Sequence, residues 1–169
     1  GALGFIGQHF IRSSASEFAV TGLVRRKPDA QSDEAVYLHV DLARPLEVTA
    51  LPEPVDAVIH LAQSNQYRRY PEFADEVLAV NVGSALALAN WARRTGCPHF
   101  IYASSAGFNP AGTERVAEDA RLEPESFYLR TKALAETLLE DCARGITLTI
   151  VRPYTIYGLG QTCRQVPTI

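Results

Sequence analysis

The sequence predicts a doubly wound α/β domain, a parallel sheet with helices on both faces. Three observations carry that prediction. Strand-like and helix-like stretches alternate along the whole chain. The strand-like stretches are nearly continuous apolar runs, as in VDAVIHLA (Val55 to Ala62), the mark of strands covered on both faces. The chain also opens on GALGFIG (Gly1 to Gly7), glycines at spacing three, the device by which a strand turns into a helix beside a phosphate. A length of 169 residues suggests a single domain.

Each element has its own signal. Behind the glycines, Phe5, Ile6, Phe10 and Ile11 recur at helical spacing over Gly4 to Ser14. AVTGLV (Ala19 to Val24) reads as a short strand closed by the polar turn Arg25 to Asp29, and VYLHV (Val36 to Val40) as a second. A weak helical turn follows around Leu46 to Leu51, then the strand VDAVIHLA. Pro71, a favoured first helical residue, opens a long helix with Phe73, Val77, Val80, Ser84 and Leu88 on one face, capped at Thr95-Gly96. PHFIYASS (Pro98 to Ser105) is again strand. A polar stretch holding Pro110 and Pro124 leads to a helix over Tyr128 to Arg144, with Leu134, Leu138, Leu139 and Cys142 as core candidates and Gly145 as its stop. ITLTIVRP (Ile146 to Pro153) is the last clear strand. In such a fold the glycine turn follows the first, central strand. The expectation is therefore a dinucleotide-binding domain over residues 1–169 that is partial at both ends. Its first strand is expected before Gly1.

Composition excludes several function classes. A net charge of −3 gives no general attraction to nucleic acid or an anionic membrane. No apolar run approaches the eighteen residues of a membrane span. Cys97, Cys142 and Cys163 form neither a CxxC pair nor a disulfide framework, which fits free thiols in a reducing, cytoplasmic compartment. The four histidines show no metal-ligand spacing, so no metal is expected, and His60 inside VIHLA reads as a packed, hydrogen-bonded residue.

The chemistry begins at the glycines. Without Cβ atoms, Gly1, Gly4 and Gly7 allow positive φ angles and a close approach to a pyrophosphate, which the helix N-terminus then holds. The same glycines would also serve a merely tight turn. At the end of the next strand, where a carboxylate would bind an adenosine ribose, stand Arg25 and Arg26. Guanidinium groups bind a 2′-phosphate bidentately, which favours NADP over NAD, although a solvated basic turn would look alike.

Tyr128 and Lys132 lie four residues apart on one helix face. An ordinary phenol ionises near ~10, too high for a base at neutral pH. A neighbouring ammonium and an oxidised nicotinamide would lower that value, letting Tyr128 move a proton at a substrate hydroxyl while hydride moves at the nicotinamide. Lys132 would also hold the nicotinamide ribose. Ser104 and Ser105 stand at the carboxyl end of a parallel strand, where open α/β sheets bind ligands, and a serine there can hold the substrate oxygen.

With GALGFIG, VDL (Val40 to Leu42), VDAVIHLA, Asn81-Val82, FIYASSA, YLRTK and VRPYTIYGLGQ (Val151 to Gln161), the chain resembles the extended short-chain dehydrogenase/reductase family, the NAD(P)-dependent epimerase/dehydratase group. The resemblance covers essentially all 169 residues. It implies a pyrophosphate turn at Gly1, Gly4 and Gly7 with backbone contacts from Phe5 and Ile6. It implies adenine contacts from Asp41 and Leu42, a cofactor wall at Leu61 and Ala62, a steadying role for Asn81, and Pro153 near the nicotinamide. It favours Ser105 over Ser104 as the partner of Tyr128 and Lys132 in the catalytic trio. A substrate lobe beyond Ile169 and a homodimer through the long helices are implied in the same way.

The departures are informative. Ala106 and Gly107 stand where dehydrating members of the family carry an Asp-Glu pair, so elimination of water lacks its carboxylates. Thr155 replaces a substrate-positioning asparagine, and Phe108-Asn109 the usual Val-Tyr. Arg68 and Arg69 in QSNQYRRY (Gln63 to Tyr70) are placed either to reach a substrate phosphate or to solvate a helix entrance. The expectation is an epimerase or reductase acting on a nucleotide-activated sugar with NADP, or NAD as second choice. A non-catalytic NADP sensor of the same fold is the alternative, and the retained Ser105, Tyr128 and Lys132 speak against it.

Overall fold

The computed structural model describes residues 1–28, 34–108 and 116–161; Asp29, Asn109, Pro110 and Cys163 lie outside the described residues. The order is α1 (Phe5–Ser14), β1 (Thr21–Val24), β2 (Val36–His39), a short 3-10 turn (Val48–Ala50), β3 (Ala57–His60), α2 (Ala74–Leu78), a π turn (Ala79–Gly83), α3 (Ser84–Thr95), β4 (His99–Ala103), α4 (Phe127–Cys142) and β5 (Thr147–Val151). Every strand pairing is parallel; α2 and α3 carry the chain from β3 to β4, and α4 carries it from β4 to β5.

The strands form two sheets rather than one. β1 pairs with β2, in register from Thr21 with Val36 to Val24 with His39, while β3, β4 and β5 form the second sheet in that order. Residues at the glycine turn lie between them. A Cβ on Gly22 of β1 would come within 2.8 Å of the Ala2 Cβ, and one on Gly1 within 2.7 Å of the Leu61 Cβ just past β3. The turn therefore touches both sheets.

The core belongs to the second sheet. Phe100 and Tyr102 of β4 are fully buried beneath Ala85, Leu88, Ala89, Trp91 and Ala92 of α3 and Ala135 and Leu139 of α4. The alanine stripe at 85, 89 and 92 lets α3 lie close to its neighbours. Gly96 ends α3 in the left-handed conformation, φ 74°, and its N–H reaches the Ala92 carbonyl. Ser126 opens α4, its hydroxyl accepting the Leu129 N–H.

Two sequence expectations fail here for identifiable reasons. Pro71 does not begin the long helix. The Tyr70-Pro71 peptide is cis and helix begins only at Ala74. The helix is then interrupted by the π turn, which carries Asn81 and inserts one extra residue into the apolar period. Leu134 is 44% exposed on α4 rather than in the core, because the buried face of that helix is given to Thr131, Lys132, Ala135, Glu136 and Leu139. Polar residues occupy a face that apolar periodicity alone would assign to leucine.

Candidate active site

Between the carboxyl ends of β1 and β3 lies a cleft of about 710 Å³. Gly1, Gly4, Phe5, Arg25, Arg26, Asp41, Leu42, Leu61 and Ala62 line it, together with Gln63 and Gly160, two residues the sequence reading did not single out. Gly7 is buried behind the turn, where a Cβ would meet the Ala2 carbonyl oxygen at 2.7 Å. Ile6 points outward from the first turn of α1, 39% exposed, and is not among the lining residues.

The reason for the glycines is corrected in one respect. Gly4 has φ −74°, and the positive φ angles of the described glycines occur at Gly96, Gly145 and Gly160. Gly1 and Gly7 are required because the backbone passes against itself and against Leu61. That close approach leaves the start of α1 bare of side chains, as a pyrophosphate-bearing dinucleotide requires. At the far wall Arg25 and Arg26 are exposed and form no ion pair among the described residues. Asp41 accepts the Ala43 N–H at 3.1 Å and faces Arg44 at 3.7 Å.

Beside this cleft the catalytic candidates converge. β4 ends at Ala103, and Ser104 and Ser105 follow directly. Ser104 turns inward, 5% exposed, and its hydroxyl has no partner. Ser105 faces the site: its hydroxyl accepts the Gly107 N–H at 3.2 Å and lies beside the Tyr128 phenol. Pro153 holds this segment through its carbonyl, which accepts the Ala106 N–H at 3.1 Å. Lys132, 2% exposed, donates to the Ala103 carbonyl at 2.8 Å and lies 4.9 Å from the Tyr102 ring centroid and 6.0 Å from that of Tyr128. The carbonyl bond fixes an ammonium under the strand end that carries Ser105.

The electrostatics differ from the sequence expectation. Burial pushes the Tyr128 phenol above its ordinary value, the nearby Ser105 hydroxyl works against this, and the neighbouring Tyr67 adds to it. Lys132 does not bring the phenol down in this state, because burial lowers the lysine itself to about 8, with Glu136 opposing that fall. Tyr128 is therefore a neutral phenol at pH 7, poised to give a proton.

Asn81, to which the resemblance gives a steadying role, and Glu136 and Arg152, which the sequence reading missed, hold this part of the molecule together. Asn81, fully buried in the π turn, accepts the Ser64 N–H at 3.2 Å and donates to Thr131 Oγ1 at 3.0 Å, tying the loop after β3 to α4. The Tyr102 hydroxyl donates to the Asn81 carbonyl. Glu136, one turn beyond Lys132, is paired with Arg152 at 2.7 Å, and Arg152 also donates to the Glu118 carbonyl. The spacing Tyr128, Lys132, Glu136 is a regular i, i+4 series, and it was the available signal. His60 is packed and hydrogen-bonded, its Nε2 2.8 Å from the Ser84 hydroxyl. Since Ser84 donates to the Val80 carbonyl, His60 carries its proton on Nε2 and leaves Nδ1 bare. Arg69 is bound to Glu72 by two hydrogen bonds of 2.9 Å, whereas Arg68 lies over the Tyr67 ring. No group of three potential metal ligands occurs among the described residues.

Comparison with known proteins gives the family. The model of the NAD dependent epimerase/dehydratase family matches residues 1–169. The dTDP-4-dehydro-6-deoxy-D-allose reductase of a Streptomyces species is 29% identical, with 95% of this chain and 55% of the relative covered. The 3beta-hydroxysteroid dehydrogenase/Delta(5)-Delta(4) isomerase 1 of Caenorhabditis elegans is 30% identical over 67% of this chain and 25% of its own length. Among solved structures, MoeE5 in complex with UDP-glucuronic acid and NAD is 30% identical with a TM-score of 0.81, covering 95% of this chain and 55% of that one. The chain thus spans about half the length, or less, of these relatives. With the glycine cleft, the parallel Rossmann-like topology and a family match over its full length, the chain belongs to the NAD dependent epimerase/dehydratase family.

Proposed function

We propose that the protein is an NAD(P)-dependent epimerase or reductase that acts on a hydroxyl or ketone of a nucleotide-activated sugar. One observation carries this reading: the Tyr128 phenol, the Ser105 hydroxyl and the buried Lys132 ammonium meet at the end of β4, next to a cleft floored by glycines. A bound NAD(P) would supply the hydride acceptor or donor, held along Gly1, Gly4 and Phe5 and past Leu61 and Ala62. Ser105 holds the substrate oxygen. Tyr128, a neutral phenol at pH 7, gives that oxygen its proton in the reducing direction and takes it back in the oxidising one. Lys132 keeps a positive charge under the developing phenolate and orients the ribose side of the cofactor.

Ala106 and Gly107 leave no carboxylate beside Ser105, which favours proton and hydride exchange at one carbon over loss of water. The exposed Arg25 and Arg26 at the adenosine end support NADP as the preferred cofactor, although MoeE5 is a structure with NAD. The test is turnover of nucleotide-linked sugars and keto-sugars with each cofactor, in the wild type and in Tyr128→Phe. Loss of the phenol hydroxyl is expected to lower kcat by about 10²–10⁴-fold while cofactor binding persists. Equal turnover in both proteins would refute the assignment.

A further inference from the structure

The loop after β3 does more than border the cleft, since it closes around Tyr128 on two sides. The phenol hydroxyl donates to Gln63 Oε1 at 3.2 Å, and the Tyr67 ring lies against the Tyr128 ring with centroids 5.2 Å apart. One residue earlier in α4, Phe127 stacks on Tyr70 from the same loop at 4.3 Å. The base of the loop is fixed, because Ser64 donates to Glu76 at 2.7 Å and its N–H is held by Asn81. Gln63 thus stands on a clamped segment, exposed to solvent, where the cofactor cleft meets the phenol.

We propose that Gln63 is a positioning residue for proton transfer at Tyr128, its carboxamide following the phenol through both protonation states. The proposal rests on the functional reading above. A carboxamide is both acceptor and donor. While the phenol is neutral, Oε1 accepts its hydrogen. After the proton has gone to the substrate oxygen, a half-turn of the amide presents Nε2–H to the phenolate. The hydroxyl is thereby aimed before transfer and its charge is met afterwards, with no bond made or broken by Gln63 itself. The titratable groups facing the phenol among the described residues are Tyr67 from the loop, Tyr102 from β4 and Lys132 from α4. Lys132 only donates and is bound to the Ala103 carbonyl, the Tyr102 hydroxyl donates to the Asn81 carbonyl, and Tyr67 meets Tyr128 ring to ring, whereas the Gln63 carboxamide already holds the phenol hydroxyl.

The test is a pH titration of phenolate absorbance in the wild type, Gln63→Leu and Gln63→Glu. Each is differenced against the same protein carrying Tyr128→Phe, so that Tyr128 is read apart from the other tyrosines. Leucine keeps the bulk but removes the donor, and should raise the Tyr128 ionisation by roughly half a pH unit. Glutamate accepts only and adds a negative charge, and should raise it by about one pH unit. Because Gln63 is exposed, both variants are expected to fold, and unchanged thermal melting checks that. The basic limb of the turnover profile should move in the same order. An ionisation at the same pH in all three proteins would overturn the proposal, including the case in which the variants alter only thermal stability. The titration needs neither substrate nor cofactor. A shifted titration without turnover of any nucleotide sugar would therefore sink the proposed function, and an unshifted titration in an active enzyme would sink only the role of Gln63.

Discussion

The two sheets treat polar groups in opposite ways. Around β1, β2 and α1 the side-chain hydrogen bonds are local: Gln8 to the Leu3 carbonyl, Arg12 to Gln8, Ser14 to the Phe10 carbonyl. Among the described buried polar residues only Ser14 belongs to this half; His60, Ser64, Asn81, Ser84, Ser104, Thr131, Lys132 and Glu136 belong to the other. There the bonds join residues far apart in sequence, such as Asn81 with Thr131 and Lys132 with the Ala103 carbonyl. The first half makes a cradle from backbone and leaves its charges in water. The second half sinks two charges, Lys132 and Glu136, into the core and gives each a partner. Binding a diphosphate needs room and N–H groups, whereas moving a proton needs side chains held to a fraction of an ångström.

The sharpest way to break this contrast is at the Glu136–Arg152 pair. Arg152→Ala leaves the carboxylate of Glu136, which is 3% exposed, without its partner and frees the Glu118 carbonyl. The expected loss in denaturant unfolding is about 3 kcal/mol or more, as for a broken buried ion pair. A loss under ~1 kcal/mol, typical of surface pairs, would mean that the second half is no more committed than the first.

A smaller effect per pH unit is expected from acid. Burial, aided by the Lys132 charge, lowers His60 to about 3 from an ordinary 6.5. The unfolded chain therefore binds a proton between these values that the folded chain refuses. Stability is full above 6.5 and falls as the pH drops towards 3, by at most about tenfold in the folding equilibrium per pH unit. Melting temperatures followed downward from neutral pH should show this slope, flattened in His60→Gln. Identical slopes would assign the acid sensitivity to the carboxylates alone.

The smallest change is expected in the first half, and in binding alone. Arg25→Ala should weaken NADP by about tenfold and leave NAD affinity and melting temperature unchanged, since a charged hydrogen bond to the 2′-phosphate is all that is lost. Isothermal titration with both cofactors reads this directly. Equal losses for NADP and NAD would place Arg25 on the shared part of the dinucleotide and remove the argument for NADP.

The same division governs what could be read in advance. α1, β1 to β5 and α4 announce themselves by apolar runs and helical spacing, and the cleft residues follow from their position at strand ends. Pro71 misled because its helix-opening preference is local, and the cis peptide at Tyr70 takes the chain past it before helix begins at Ala74. Leu134 misled because the buried face of α4 carries Lys132 and Glu136, which a pattern of apolar residues counts as exposed. Gln63 gave no signal, for its only distinction is a contact with a residue 65 positions away.

By itself the sequence determined the parallel α/β class, the glycine floor of the cleft and the chemical types at the site, because these depend on composition and short-range spacing. Tertiary structure alone decided that Lys132 is buried against a carbonyl rather than set upon the phenol, which groups Asn81 binds, and that Glu136 and Arg152 brace the site. Those outcomes depend on distances between segments dozens of residues apart. They also depend on a low-dielectric interior that forces every buried charge to find a partner.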